Sequence, residues 1–348
     1  MQHRILNTIG SVFTKDARVL LSKLGEVEDF NGTQKELTLI IADYTIAIIG
    51  LGLNFNKKVI QNAPKLQLIG TATTGLDHID LEYAKARGVD VLSLYGESTF
   101  LNTITGTAEL AVGLMIDCMR GISNGFSSVQ QYIWDREQFR GYSLYEKTLG
   151  IVGFGRLGKM MARYCIGFGM NVIIYDIEPD EESCKKIGVR AVEFETLLNE
   201  SDVVSIHIPL NQKTKYLFND NIFLKMKSTA YLINTARGLV INENSLLTAL
   251  KERYIAGYAT DVLADEVNFS EGFSNHALVE YAKTHRNLLI TPHIGGMTHE
   301  SRTAADIFIA EKVVQWAYQK NECRHNLDEE KLSHLNCYRA NSQRNPQQ

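Results

Sequence analysis

The stretch Thr148–Asp176, TLGIVGFGRLGKMMARYCIGFGMNVIIYD, decides how this chain is read. An apolar run leads into Gly153-Phe154-Gly155-Arg156-Leu157-Gly158, a helical segment follows, and a second apolar run ends on Asp176, about 18 residues past the last glycine. Strand, glycine turn, helix and strand in this order make a cradle for a dinucleotide pyrophosphate. Gly153 permits the tight turn, Gly155 lets the backbone approach the anion, and Gly158 lets the helix pack on the strand. The helix then opens at Arg156 and Leu157, where unpaired N–H groups point at the phosphates. Asp176 accepts hydrogen bonds from a ribose diol and repels a 2′-phosphate. No arginine follows it closely, so NAD is expected over NADP. From Gly153 to Lys159 the letters also fit the first seven positions of a triphosphate loop, GxxxxGK[ST], but Met160 stands where a hydroxyl must hold Mg²⁺.

The whole chain sets bounds around that core. Its 348 residues suggest two domains. A net charge of −4 with no prominent basic run argues against nucleic acid or an anionic membrane as partner. Cys118, Cys165, Cys184, Cys323 and Cys337 show neither CxxC pairing nor metal-ligand spacing, so they read as scattered thiols of a cytoplasmic protein, with Cys118 a core residue and no metal site. The start, MQHRILNTIG, has no basic region leading into a long apolar run, and neither a signal peptide nor a membrane span is expected.

Before residue 95, short apolar runs (RILNTIG, IAIIGLG, KLQLIGT, VDVLSL) alternate with helical segments (KDARVLLSKLG, KKVIQNAP, LEYAKARG), the pattern of a parallel α/β sheet. Thr73-Thr74-Gly75-Leu76-Asp77 opens a loop after one of these runs. Its backbone N–H groups can meet an anion, or it is a plain strand-to-helix connection. GESTFLNTITG then gives way to TAELAVGLMIDCMRGI, an apolar helix with Thr105 or Thr107 near its start. Gln131 to Lys147 is aromatic and polar, with Trp134 and Tyr142, and reads as a segment lying across the surface of the second domain or of a partner subunit, or else as a packed irregular loop. Six further strand candidates follow (GIVGF, NVIIYD, VVSIHI, AYLINTA, AGYATDV, LLITP), the spacing of a doubly wound sheet. A long amphipathic run from Gly295, GGMTHESRTAADIFIAEKVVQWAYQK, is expected to return to the first domain, and the polar tail 326–348 to be poorly ordered. The expected organisation is a substrate domain of residues 1–102 and 295–325 with a cofactor domain, 103–294, inserted in it.

Several chemically useful side chains fall just past strand ends, where doubly wound sheets bind ligands. Arg237 follows LINTA, Asp261 and Glu266 follow AGYAT, and His293 follows LLITP. A 2-oxo acid needs its carboxylate held and its carbonyl polarised, which a guanidinium fork can do at Arg237. Hydride delivery to the carbonyl carbon leaves an alkoxide that needs a proton, and an imidazole at His293 can supply or remove it. Glu266 beside that imidazole would fix its tautomer and favour its charged form. Taken singly, the three also fit a surface ion pair, a solvated loop acid and a strand-end histidine.

With the glycine motif, SDVVSIHIPL, LINTARG, DVLADE and ITPHIGGMTHES make the chain resemble the D-isomer-specific 2-hydroxyacid dehydrogenases over nearly its whole length to about residue 320. The resemblance puts the family's active-site arginine, glutamate and histidine on Arg237, Glu266 and His293. It makes Thr73, Thr74 and Gly75 the backbone site for the substrate carboxylate, and it aligns His207, Pro209, Thr235, Ala236 and Asp261 with residues lining the cofactor pocket. It implies a Rossmann-type sheet inserted into a smaller flavodoxin-like α/β domain, an interdomain cleft that closes on ligand, and a homodimer built on the cofactor domain. The activity implied is reversible reduction of a small 2-oxo acid to a D-2-hydroxy acid with NAD(H). Some relatives of this kind are instead NAD(H)-sensing scaffolds or co-repressors, and that is the alternative.

Five departures stand out. The segment VLSLYGESTFLNTITGTAEL is a few residues longer than usual; Val267 follows Glu266 where proline is common; and the stretch from there to His293 is also long. Phosphoglycerate-oxidising relatives hold the phosphate partly with an Arg-Ser-Arg run. Here Gly50-Leu51-Gly52 aligns with it, and Lys57, Lys58 or a residue of the long loop would have to substitute. The C-terminal regulatory domain of many such relatives is also expected to be missing, and both points weigh against phosphoglycerate.

Overall fold

The computed structural model describes residues 2–266, 269 and 273–342, with side chains to residue 320. Val267 therefore lies outside the described residues, as do the side chains of Cys323 and Cys337. The chain divides into two compact units, Met1–Gly96 with Thr303–Gln348, and Glu97–Arg302.

The first unit holds five parallel strands, β1 His3–Asn7, β2 Gly25–Asp29, β3 Ile46–Ile49, β4 Leu68–Thr71 and β5 Asp90–Leu92, in the order β2-β1-β3-β4-β5. β3 and β4 are buried throughout, as central parallel strands with covered faces must be. One face packs Leu37, Val59, Ile60 and Ala84, the other Ala17, Leu21, Ala310, Val313 and Trp316. The last three come from the closing helix His299–Ser342, which is stitched into this unit by polar bonds. Thr14 donates its N–H and hydroxyl to Asp306 at 3.1 and 3.0 Å, Lys312 reaches the Ser93 carbonyl at 2.9 Å, and Trp316 Nε1 reaches Asp90 at 2.7 Å. The helix runs on through Asn326, where the sequence reads as tail. Between Gly296 and Pro346 there is no glycine or proline to stop it. Residues 343–348 lie outside the described residues.

The second unit is a seven-stranded parallel sheet. Its strands are β6 Thr148–Val152, β7 Asn171–Tyr175, β8 Arg190–Ala191, β9 Val203–Ile206, β10 Tyr231–Asn234, β11 Gly257–Thr260 and β12 Leu288–Ile290, in the order β12-β11-β10-β9-β6-β7-β8. This is the doubly wound order, with its switch point between β6 and β9. The helices Gly106–Arg120 and Arg156–Gly167 cover one face with Ala111, Leu114, Met115, Met161 and Cys165, while Leu197, Phe223, Leu246, Leu250, Leu278 and Tyr281 cover the other. Two strands have no counterpart among the apolar runs of the sequence, β2 (GEVED) and the two-residue β8. Both are edge strands with mostly polar, part-exposed side chains, so no apolar run announces them. Thr105 sits at the N-cap of the helix Gly106–Arg120, but its side chain makes no capping bond.

Candidate active site

The glycine turn shows why Gly153 and Gly158 must be glycine. Gly153 has φ +96°, and a Cβ there would meet the His207 carbonyl carbon at 2.8 Å, so the turn can pass close under the end of β9 only without a side chain. At Gly158 a Cβ would collide with the Gly153 carbonyl, so the helix Arg156–Gly167 can sit against the strand only as glycine. Gly155 differs: it is exposed, and a Cβ would meet nothing within 4 Å, leaving open space at the helix N-terminus. Asp176, at the end of β7, accepts the Phe154 N–H at 2.7 Å and the Glu178 N–H at 3.1 Å, which keeps its carboxylate beside the turn. Arg156 sends Nη1 to the carbonyls of Leu101 (2.8 Å) and Ile104 (2.5 Å) and so holds the short helix Ser98–Leu101 and the turn that precede the helix Gly106–Arg120. Burial lowers the pKa of that guanidinium.

Two polar atoms near the strand ends fit contacts to a cofactor. His207 Nδ1 and Thr235 Oγ1 are buried with no hydrogen-bond partner among the described residues. His207 Nε2 is 2.9 Å from Ser205 Oγ, and although the ring is only half-buried by surface, desolvation holds its imidazolium down to about 4, so the ring is neutral. An unpaired buried nitrogen is costly, and a ligand amide or hydroxyl would satisfy it. Together with the open space at Gly155 and the acceptor at Asp176, these atoms fit a dinucleotide. Pro209 is exposed and Ala236 half-buried close by in sequence.

Arg237, Glu266 and His293 follow the adjacent strands β10, β11 and β12. His293 Nδ1 is 2.8 Å from Glu266 Oε1, with side chains 28 and 21 % exposed. The other Glu266 oxygen accepts the Leu263 N–H at 3.3 Å. Arg237 is extended (φ −148°, ψ 140°), and its Nη1 donates to the Ala236 carbonyl at 2.7 Å. Its turn is shaped by Asn234, to which the sequence reading of LINTARG gives no role of its own: Oδ1 accepts the Ala236 N–H at 3.0 Å, and Nδ2 donates to the Arg237 carbonyl at 3.1 Å and to Tyr258 Oη at 3.2 Å. Gly238 abuts the Leu263 carbonyl and the Ala264 nitrogen so closely that a Cβ would clash, which ties the arginine turn to the glutamate turn.

Asp261 shapes the histidine turn. It is 2 % exposed, and its carboxylate accepts from Thr291 Oγ1 (2.6 Å), the Ile294 N–H (2.8 Å) and the Gly295 N–H (2.7 Å). Its own carbonyl takes the His293 N–H at 2.9 Å. His293 has φ +54°, a left-handed conformation that costs a non-glycine residue about 1–2 kcal/mol and persists only where neighbours enforce it.

Thr73, Thr74 and Gly75 belong to the first unit, in the loop after β4. Thr73 Oγ1 donates to the Gly75 carbonyl at 2.8 Å and lies 3.0 Å from Thr71 Oγ1, so the side chain folds the loop on itself.

Residues 112–295 match the sequence profile of the D-isomer specific 2-hydroxyacid dehydrogenase NAD-binding domain. The chain belongs to the D-isomer-specific 2-hydroxyacid dehydrogenases. Among members of this NAD-dependent family it is 38 % identical to a glyoxylate reductase of Thermococcus litoralis, over 78 % of this chain and 80 % of that protein. It is 34 % identical to a D-3-phosphoglycerate dehydrogenase of Methanocaldococcus jannaschii, over 93 % of this chain and 60 % of that one. A solved D-lactate dehydrogenase of Aquifex aeolicus, complexed with NAD and lactic acid, superposes with a TM-score of 0.76 at 25 % identity, over 94 % of this chain and 97 % of that chain. The 2-hydroxyacid dehydrogenases are oxidoreductases, and the seven-stranded unit is this chain's NAD-binding domain.

Proposed function

We propose that this chain reduces a small, unphosphorylated 2-oxo acid to a D-2-hydroxy acid with NADH. The carrying observation is the His293–Glu266 pair at 2.8 Å, set at the carboxyl ends of the NAD-binding strands with Arg237 on the same edge. Bound NADH supplies the hydride. Glu266 fixes the imidazole with Nδ1 toward the carboxylate, which leaves Nε2 to hand a proton to the substrate oxygen and to take it back in the reverse direction. Arg237 holds the substrate carboxylate and polarises the carbonyl. Within the first unit, the backbone N–H groups of Thr73-Thr74-Gly75 suit a carboxylate. His207, Thr235, Pro209, Ala236 and Asp261 line or shape the cofactor pocket, and Asp176 receives the ribose diol.

Two observations favour an unphosphorylated substrate. Gly50-Leu51-Gly52 brings no cation, and Lys57 Nζ sits 5.4 Å over the Tyr83 ring. Purified protein mixed with NADH and glyoxylate, hydroxypyruvate, pyruvate or bulkier oxo acids should lose nicotinamide absorbance with at least one of them. NADH binding without turnover of any would refute the reading and favour a sensing role.

The working unit in this proposal is a homodimer built on the second unit. Tyr132 is 98 % and Trp134 89 % exposed, beside Phe126 and Val129 of the helix Ile122–Gln130. Apolar surface of this extent calls for a partner, and a second copy covers it without exposing a new edge. Light scattering should give twice the chain mass, and Trp134→Asp should weaken the dimer.

A further inference from the structure

Glu243 is the first residue of the helix Glu243–Lys251, yet its side chain serves a different element. Oε1 accepts the Ala264 N–H at 2.8 Å, and Oε2 lies 3.3 Å from His276 Nε2, with the two side chains 21 and 15 % exposed. His276 is packed edge-on against Phe269, ring centroids 6.0 Å apart, with Phe273 at 6.3 Å, and its Nδ1 is buried with no partner among the described residues. The imidazole is thereby committed through Nε2 to Glu243. Across the turn, Gly238 presses directly on the Leu263 carbonyl and the Ala264 nitrogen. The turn Leu263–Glu266 is therefore gripped from two sides, and Glu266 is two residues beyond the gripped amide.

We propose that Glu243 is a positioning residue: its carboxylate, braced by His276, holds the Ala264 N–H and so fixes the turn that keeps Glu266 against His293. The inference rests on the reading of His293 as the acid/base. A carboxylate can accept from both neighbours at once, whereas a protonated one must donate through one oxygen and loosens the grip. The groups that face Glu243 are His276, Asp265, Glu266 and Tyr258. Burial raises its pKa and the two acidic neighbours push the same way, while the Ala264 N–H and His276 oppose them. Glu243 thus takes up a proton at a higher pH than an ordinary carboxylate, and activity falls as pH drops through that point.

The test compares Glu243→Ala and Glu243→Gln with the native protein in kcat, KM and NADH affinity over about pH 5 to 9. Glu243→Ala should lower kcat about 10- to 100-fold, the cost of misplacing a catalytic group by about an ångström, with NADH affinity little changed. Glu243→Gln, an isostere of the protonated carboxyl with one acceptor and one donor, should hold kcat near the level the native protein reaches at the foot of its acid limb, with that limb flattened. Native kcat in Glu243→Ala, or an acid limb unchanged in Glu243→Gln, would overturn the proposal, and the second criterion decides alone if the alanine variant does not fold. Hydrogen exchange at the Ala264 amide needs no turnover. It should accelerate at least about 10-fold in Glu243→Ala, and unchanged exchange overturns the clamp. A native protein that binds NADH but turns over no oxo acid would overturn the proposed function instead.

Discussion

Replacing Asp261 with asparagine should destabilise the second unit by about 3 kcal/mol and disable its histidine. The carboxylate accepts three bonds, at 2.6, 2.8 and 2.7 Å, from Thr291, Ile294 and Gly295, and is 2 % exposed. An amide of the same shape has one acceptor oxygen. If that oxygen stays with Thr291 and Ile294, the amide nitrogen faces the buried Gly295 N–H, donor against donor. Losing one hydrogen bond to a charged group costs about 1.5–3 kcal/mol, and neutralising the acceptor of the other two adds about 1 kcal/mol. At about 2–4 °C per kcal/mol for a domain of this size, the melting temperature should drop by about 6–12 °C. The turn also holds His293 at φ +54°. Once released, the residue relaxes toward negative φ, the imidazole leaves Glu266, and kcat falls with it. Fluorimetric melting without cofactor isolates the structural cost from any contact with NAD, and steady-state kinetics read the catalytic one. A melting temperature within about 2 °C of the native value, together with native kcat, would refute this account of the turn.

Other consequences are equally direct. His293→Ala should depress kcat by about 10²–10⁴-fold with NADH affinity intact, because only the proton donor is lost, whereas Arg237→Ala should raise KM as well as lower kcat; steady-state kinetics with the best oxo acid distinguishes the two patterns. Asp176→Ala should weaken NAD by about tenfold or more and narrow the preference over NADP, since it removes a charged acceptor that also holds the Phe154 N–H; fluorescence titration with both cofactors measures the ratio. His207 is held neutral in the folded state, from an ordinary 6.5 down to about 4, so the unfolded chain binds the proton first as pH falls. The native fold should therefore lose stability between those two values, and His207→Asn should lose less over the same window in chemical denaturation.

Much of the candidate site is legible in the amino-acid sequence. Gly153, Gly155, Gly158 and Asp176 form a local pattern because turn sterics, helix start and strand end all lie within one β-α-β unit. Arg237, Glu266 and His293 can be placed together because strand ends in a parallel sheet lie on one edge. Edge strands escape such a reading: GEVED has one apolar residue and Arg190–Ala191 has almost no signal, since an edge needs little burial. The supporting residues escape as well. Asn242 and Glu243 read as an ordinary helix start, and nothing near Glu243 in the sequence mentions Ala264, 21 positions away.

The sequence by itself determined the doubly wound cofactor domain, the choice of NAD and the candidate catalytic set, because glycine sterics, apolar periodicity and side-chain chemistry are local properties. Only the tertiary structure decided how those groups are held. Asp261 grips a turn more than thirty residues downstream, Arg156 reaches the carbonyls of Leu101 and Ile104, and Glu243 bridges Ala264 and His276. These bonds join residues far apart in the chain, and what selects them is the demand that every buried donor and acceptor find a partner once the strands are side by side.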